Sequence, residues 1–378
     1  SATPSIESWN NIKNNKYNRF KLSTRFNDVS LPDVNLIDMR EEKLSAKEWI
    51  SSVLKKEMES ILESKKQCIL FLNRRGYAPL TICDKCGHRL QSPDSSAWMV
   101  MHYNKRGEKY LECHHSGIKM SVPENCPKCN AENSFRPCGP GVQRVKEECN
   151  MIFPEARVMD LSSDMSEKER LSCLEKIHNN EVDIIIGTQI VAKGHHFKNV
   201  KLVGVVDGDM GLDFEDLRAT ERSYQILNQV AGRAGREGDK GRVYIQTYNP
   251  EHKIMEALKN NQRDKLLDLE LEERLNADLP PFSRLVNIII YSKDKDSALS
   301  SAKQAVQMLM NDYDKSKVKI YGPAEALYFK LRGYFRYRIL LKSHKNFNVQ
   351  SFIKIRMEGL EMPYNVRIKF DVDPYNFA

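Results

Sequence analysis

No run of about 18 consecutive apolar residues occurs in this 378-residue sequence, and the mean hydropathy is −0.57, so no helical membrane span is expected. The N-terminal Ser-Ala-Thr-Pro-Ser-Ile-Glu-Ser-Trp lacks the basic start and apolar centre of a secretory signal, which points to a cytoplasmic protein. There is no Gly-x-x-x-x-Gly-Lys-Ser/Thr phosphate loop and no Asp-Glu magnesium box, so a whole nucleotide-hydrolysing centre cannot be assembled from these residues. A large charge excess is also missing: 59 Lys and Arg against 51 Asp and Glu leave +8, too little by itself to name a polyanionic partner. Cysteine, by contrast, is plentiful. Nine of them, an odd number with two Cys-x-x-Cys pairs, suit metal ligation plus a few buried thiols better than a disulfide framework.

The length calls for two or three domains. Apolar positions at helical spacing from Ala46 to Ser64 lead into a buried strand at 67–73. After a cysteine- and proline-rich interruption, helices near 141–153, 166–179 and 216–232 alternate with strands near 157–161, 182–187, 202–207 and 242–247. This alternation predicts an α/β domain, a parallel sheet with helices on both faces and ligands at the strand C-termini. Following a helical linker at about 251–275, the order becomes β-α-β-β-α-β, the split-βαβ arrangement of an α+β domain.

The strongest chemical signal is Gln229-Val-Ala-Gly-Arg-Ala-Gly-Arg236. Its glycines permit close backbone approach, and its two arginines present forked donors suited to phosphate oxygens. Arg-Gly pairs also occur in solvated turns, so context decides. Upstream, the apolar strand Ile184-Ile-Ile ends in Gly187-Thr188, followed by Gln-Ile-Val-Ala-Lys193-Gly-His195. These two segments resemble motifs V and VI of superfamily 2 helicases. With Asp216-Leu-Arg-Ala-Thr-Glu-Arg222, Phe71-Leu-Asn-Arg-Arg-Gly-Tyr-Ala-Pro79, Leu279-Pro-Pro-Phe282 and Asp371-Val-Asp-Pro374, they resemble the primosomal protein N′ family of replication-restart helicases along essentially the whole chain.

Because Ser1-Ala-Thr-Pro-Ser5 is similar to motif III, the resemblance places this chain as the C-terminal half of such a protein. It implies that 1–40 are the end of a first motor lobe and a linker, that 41–82 and 138–250 form a RecA-like second lobe, that 83–137 are an inserted zinc module, and that 251–378 are a DNA-binding domain with its linker. It further implies that Arg236 is the arginine finger, Arg233 a second phosphate contact and Gln229 a coupler of nucleotide to DNA, with Thr188 and Lys193 on the DNA backbone. ATP and magnesium would bind only together with the first lobe. Implied partners are single-stranded and forked DNA, primosome proteins and single-stranded DNA-binding protein in a bacterial cytoplasm, with no membrane. His196 stands where the family usually has Asp and receives no role. The competing reading is a non-catalytic module that binds DNA and partners.

Cys83-x-x-Cys86 and Cys126-x-x-Cys129 have the spacing of a tetrahedral zinc site. The family places eight cysteines in this region and forms two such sites. Here the inner positions read Ser92, Ser95, Cys113 and Ser116, with His114 and His115 adjacent, so one structural zinc is expected, on the outer four. From Lys330 to Arg356 there are eight basic residues and no acidic one. Lys330, Arg332, Tyr334, Arg336 and Arg338 are the candidate single-strand contacts, offering phosphate partners and a stacking ring. Phe335 and Tyr337, at period two, are expected to face the core.

Overall fold

The computed structural model describes all residues except 21–30, 46–47, 73–79, 104–107, 114, 139–140, 162–164, 193–196, 213–215, 236–239 and 378. In chain order it contains α1 (Ile6–Lys13), β1 (Asp33–Asp38), α2 (Ser52–Glu63) and β2 (Gln67–Phe71). Five short strands follow: β3 (Leu80–Cys83), β4 (Val100–Tyr103), β5 (Lys109–Glu112), β6 (Lys119–Ser121) and β7 (Phe135–Cys138). Alternation then resumes with α3 (Val142–Ile152), β8 (Val158–Leu161), α4 (Glu167–His178), β9 (Ile184–Gly187), α5 (Gln189–Ala192), β10 (Val200–Val205), α6 (Ala219–Ala231) and β11 (Arg242–Thr247). Helices α7 (Lys253–Lys259) and α8 (Arg263–Asn276) lead to β12 (Ser283–Ser292), α9 (Lys295–Met310), β13 (Val318–Leu331), β14 (Tyr334–His344), α10 (Val349–Arg356) and β15 (Val366–Val372).

The chain divides into two compact units, Ser1–Tyr77 with Pro140–Leu269, and Ala78–Gly139 with Glu270–Ala378. The first holds a six-stranded parallel sheet in the order β1-β11-β10-β2-β9-β8. Its inner strands β2, β9 and β10 are mostly apolar because both faces are covered. Ile69, Phe71, Ile185 and Val203 enter one core, while the intervening Cys68, Leu70, Ile184, Ile186 and Leu202 enter the other. The sequence also sets helix starts. Ser166 and Glu169 form a capping box on α4, and the Ser51 hydroxyl accepts the Leu54 N–H at the start of α2. That start falls later than the apolar spacing predicts, because Trp49 and Ile50 lie outside the helix. The Glu148 carboxylate accepts their N–H groups at 2.8 and 3.2 Å.

Gln246, only 1% exposed, secures the same segment: it accepts the Ser51 N–H at 2.8 Å and donates to the carbonyls of Trp49 and Val206. Gln246→Ala leaves three buried backbone groups without partners. It is expected to cost about 2 kcal/mol or more, read as a lowered urea midpoint.

Strand β1 is absent from the sequence reading. It lies at the sheet edge on β11, where its alternating half-exposed residues give none of the continuous apolar signal of its neighbours. In the second unit, the last sheet has the order β13-β14-β12-β15, antiparallel throughout, with α9 and α10 on one face. This is the expected split-βαβ layout. Tyr337 is buried in its core, whereas Phe335 is only partly buried and packs on Phe329.

Candidate functional sites

In the parallel-sheet unit the Gly187–Ala192 segment follows the C-terminal end of β9, and the second motif segment meets it at Ala192 while its own end lies at the opposite, N-terminal edge of the sheet. Helix α6 runs back along the sheet for 13 residues, about 20 Å, which is also about the length of a six-residue strand. Its end therefore arrives at the start of β10, where the Gly235 N–H donates to Val200 O at 3.1 Å. Gly235 has φ +65°, and a Cβ on Gly241 would lie 2.4 Å from its nitrogen, so both positions require glycine. Arg233 is buried, and its guanidinium donates to the Ala192 carbonyl at the end of α5. Gln229 is exposed on α6. Thr188 is buried at the start of α5, and Gly187 leaves room for Val191. Arg236 and Lys193 lie outside the described residues.

The C-terminal ends of β10 and β11 hold a feature the sequence reading missed. Asp207 accepts the N–H groups of Asp209 and Met210, and Asp209 binds the Tyr248 N–H and the Thr247 hydroxyl. Burial, and then the Asp209 charge, push the Asp207 carboxyl above its ordinary value. A second omission is the ion pair of Glu7 with Arg218 at 2.6 Å, which ties α1 to the start of α6. The Asp207 turn is local, whereas the contacts of Asp209 with Thr247 and Tyr248 and of Glu7 with Arg218 are set by tertiary proximity and have no local pattern to find.

In the second unit, Cys83, Cys86, Cys126 and Cys129 place their sulfurs within 4.8 Å of one another, a donor set able to hold one metal ion. The Ser134 hydroxyl and nearby amides hold the Cys83 thiol below its ordinary value, while the neighbouring sulfurs push Cys129 above it. Among the basic candidates, Arg332 is exposed at a two-residue turn between β13 and β14, where Arg332 and Gly333 both have positive φ. Lys330 is half-buried beside the cysteine module, its Nζ donating to Pro93 O at 3.1 Å. Tyr334 packs edge-on to Tyr291, with the Lys293 ammonium over its ring.

Arg336 and Arg338 lie on the sheet face opposite Tyr337 and Ile339. Arg336 is partly buried, which holds its pKa below the ordinary arginine value. Register aligns Arg336 with Tyr291 and Arg367, and Arg338 with Ile289 and Lys369, so two basic rows cross three strands. Arg367 and Lys369 escaped the sequence reading because only strand pairing brings them beside residues some thirty positions earlier.

The comparisons agree with this division. Residues 140–238 match the family "Helicase conserved C-terminal domain", and residues 276–375 match "Primosomal protein N C-terminal domain". A replication restart protein PriA of Rickettsia felis is 43% identical over the whole chain, which covers 57% of that protein. The one of Bacillus subtilis is 32% identical over 99% of the chain and 47% of its own length. Yeast Dbp5 bound to RNA and ADP BeF3 aligns over 74% of this chain and 53% of its own, at 13% identity and a TM-score of 0.33. The chain thus spans about half the length of the relatives it matches, and it belongs over its whole length with the C-terminal part of the replication restart protein PriA family.

Proposed function

We propose that this chain is the second motor lobe, metal module and DNA-binding domain of an ATP-dependent 3′ to 5′ DNA helicase that acts at stalled or branched forks and restarts replication through primosome assembly. The observation that carries this reading is the anchoring of the Gln229–Arg236 segment against the Gly187–Ala192 segment, in a parallel-sheet lobe matched by a helicase family. Arg236, the residue after the Gly235 anchor, is the arginine finger for a nucleotide bound between this lobe and an upstream one. The burial of Arg233 supports a role in holding α5 against α6, with any phosphate contact secondary. Gln229, exposed on α6, couples nucleotide to DNA, while Thr188 and Lys193 border the DNA path. When bound, ATP with magnesium supplies the phosphoryl group whose developing charge the finger neutralises. Zinc is the ion of the outer cysteine site, since four thiolates in two Cys-x-x-Cys turns form its preferred tetrahedron. Partners of the intact protein are primosome components and single-stranded DNA-binding protein.

Single-stranded DNA lies on the open face of the C-terminal sheet, across Arg336, Arg338, Arg367 and Lys369, with Arg332 at the rim. Replacing Arg338, Arg367 and Lys369 with Ala should flatten the log K against log salt slope by roughly 2 units, at about 0.7 per phosphate contact. Binding measured by fluorescence anisotropy at several salt concentrations tests this. An unchanged slope and affinity would place the DNA elsewhere. The reading as a binding module alone gains weight if the chain binds DNA but never supports hydrolysis when joined to a first lobe.

A further inference from the structure

Three turns of the cysteine module share one hydrogen-bond pattern. Cys83 N–H donates to His88 O and Gly87 N–H returns to Cys83 O; Cys126 pairs likewise with Ala131 and Asn130, and Cys113 with Ile118 and Gly117. The returning residue has positive φ in each: Gly87 +70°, Asn130 +58° and Gly117 +79°. At the fourth turn Ser92 N–H donates to Ala97 O at 2.9 Å in the same way, but the returning amide, Ser96 N–H, instead donates to Lys330 O at 2.7 Å. The inner pair of turns therefore retains much of the backbone frame of a metal site.

Its donors do not fit a metal ion. Hydroxyls stay protonated at neutral pH and ligate zinc poorly. The Ser92 hydroxyl donates to Asp94 at 2.6 Å, and Ser95 Oγ accepts the Ala97 N–H. Ser116 Oγ is buried with no hydrogen-bond partner of good geometry. Cys113 alone supplies a sulfur.

What joins the two inner turns is the tip of the β13–β14 hairpin. On the Ser92 turn, Lys330 N–H donates to Ser96 Oγ at 2.8 Å, the Ser96 amide donates back to Lys330 O, and Gly333 N–H donates to Asp94 O at 2.8 Å. On the Cys113 turn, the Tyr328 ring lies 4.2 Å from the His115 ring and packs on the small core containing Cys113, Leu111 and Met99. One hairpin thus grips both turns.

We infer that the β13–β14 hairpin takes the structural place of a second metal ion, so that the inner half of the cysteine module is held by the C-terminal domain and only the outer half by metal. Hydrogen exchange on the zinc-loaded 378-residue chain tests this. In Tyr328→Ala with Ser96→Ala, peptides covering 90–99 and 110–118 should exchange about thirtyfold faster, the equivalent of about 2 kcal/mol. Peptides covering 81–88 and 124–131, and a content of one zinc, should not change; slow exchange in β2 and β12 reports an intact fold. Adding Ser92→Cys, Ser95→Cys and Ser116→Cys to that variant should bind a second zinc and restore slow exchange at 90–99 and 110–118. Unchanged exchange in the double variant, two zinc equivalents in the unaltered chain, or fast exchange persisting after a second zinc binds would each overturn the inference.

Discussion

Arg236→Ala, in a polypeptide joining this chain to an upstream Walker-type lobe, is expected to lower DNA-stimulated ATP hydrolysis by about 10³-fold or more, the scale of arginine fingers. The expectation rests on position. Gly235 is pinned to the first residue of β10 and packed against Gly241, so the motif is anchored at the residue before the proposed finger. Arg233, three residues earlier, already spends its guanidinium on the Ala192 carbonyl. The two arginines should therefore separate experimentally. Arg236→Ala should leave the melting temperature unchanged, whereas Arg233→Ala should lower it, because the buried Ala192 carbonyl loses its donor. Steady-state ATPase assays with and without single-stranded DNA, beside thermal melts of both variants, check the pair. A tenfold or smaller loss for Arg236→Ala would move the finger elsewhere.

The second large effect concerns the outer cysteines. Four sulfurs this close, with the Cys83···Cys129 and Cys86···Cys126 contacts both at 3.7 Å, repel one another once ionised unless a cation sits among them. Structural zinc in small modules contributes about 10–16 kcal/mol of binding free energy that is also folding free energy. Cys126→Ser should therefore release the metal and unfold the outer turns, while the parallel-sheet unit, which contains none of the four ligands, keeps its melting transition. Elemental analysis should fall from one zinc to none, and protection should vanish from peptides covering 81–88 and 124–131. Full metal retention by the variant would remove Cys126 from the ligand set.

Much of this architecture was legible in the sequence for identifiable reasons. Ile184-Ile-Ile-Gly reads as a strand buried on both faces, and both faces are indeed covered by helices. The serine and glutamate of the α4 capping box mark its start to the residue. Strand β1 was not legible, since an edge strand needs only one apolar face and is defined by its partner β11, some two hundred positions away. Of the site, the four outer cysteines were readable from spacing because the ligand pairs are local. The hydrogen-bond partners of Lys330 were not, since Ser96 and Pro93 are more than two hundred residues earlier. Charge runs reveal how much charge a surface carries, and strand register decides which charges share it. That is why Arg367 and Lys369 join Arg336 and Arg338 only once β12, β14 and β15 are paired.

The central claim, that this chain is the C-terminal working part of a fork-acting helicase, is tested most directly by strand displacement. The measurement uses a forked DNA duplex, the longer polypeptide that includes an upstream motor lobe, and the 378-residue chain by itself. ATP-dependent displacement by the longer polypeptide from a 3′ tail and none from a 5′ tail, with DNA binding but no ATP turnover by the chain alone, is the expected result. DNA-dependent ATP turnover by the chain alone, or no displacement from either tail by the longer polypeptide, would contradict it.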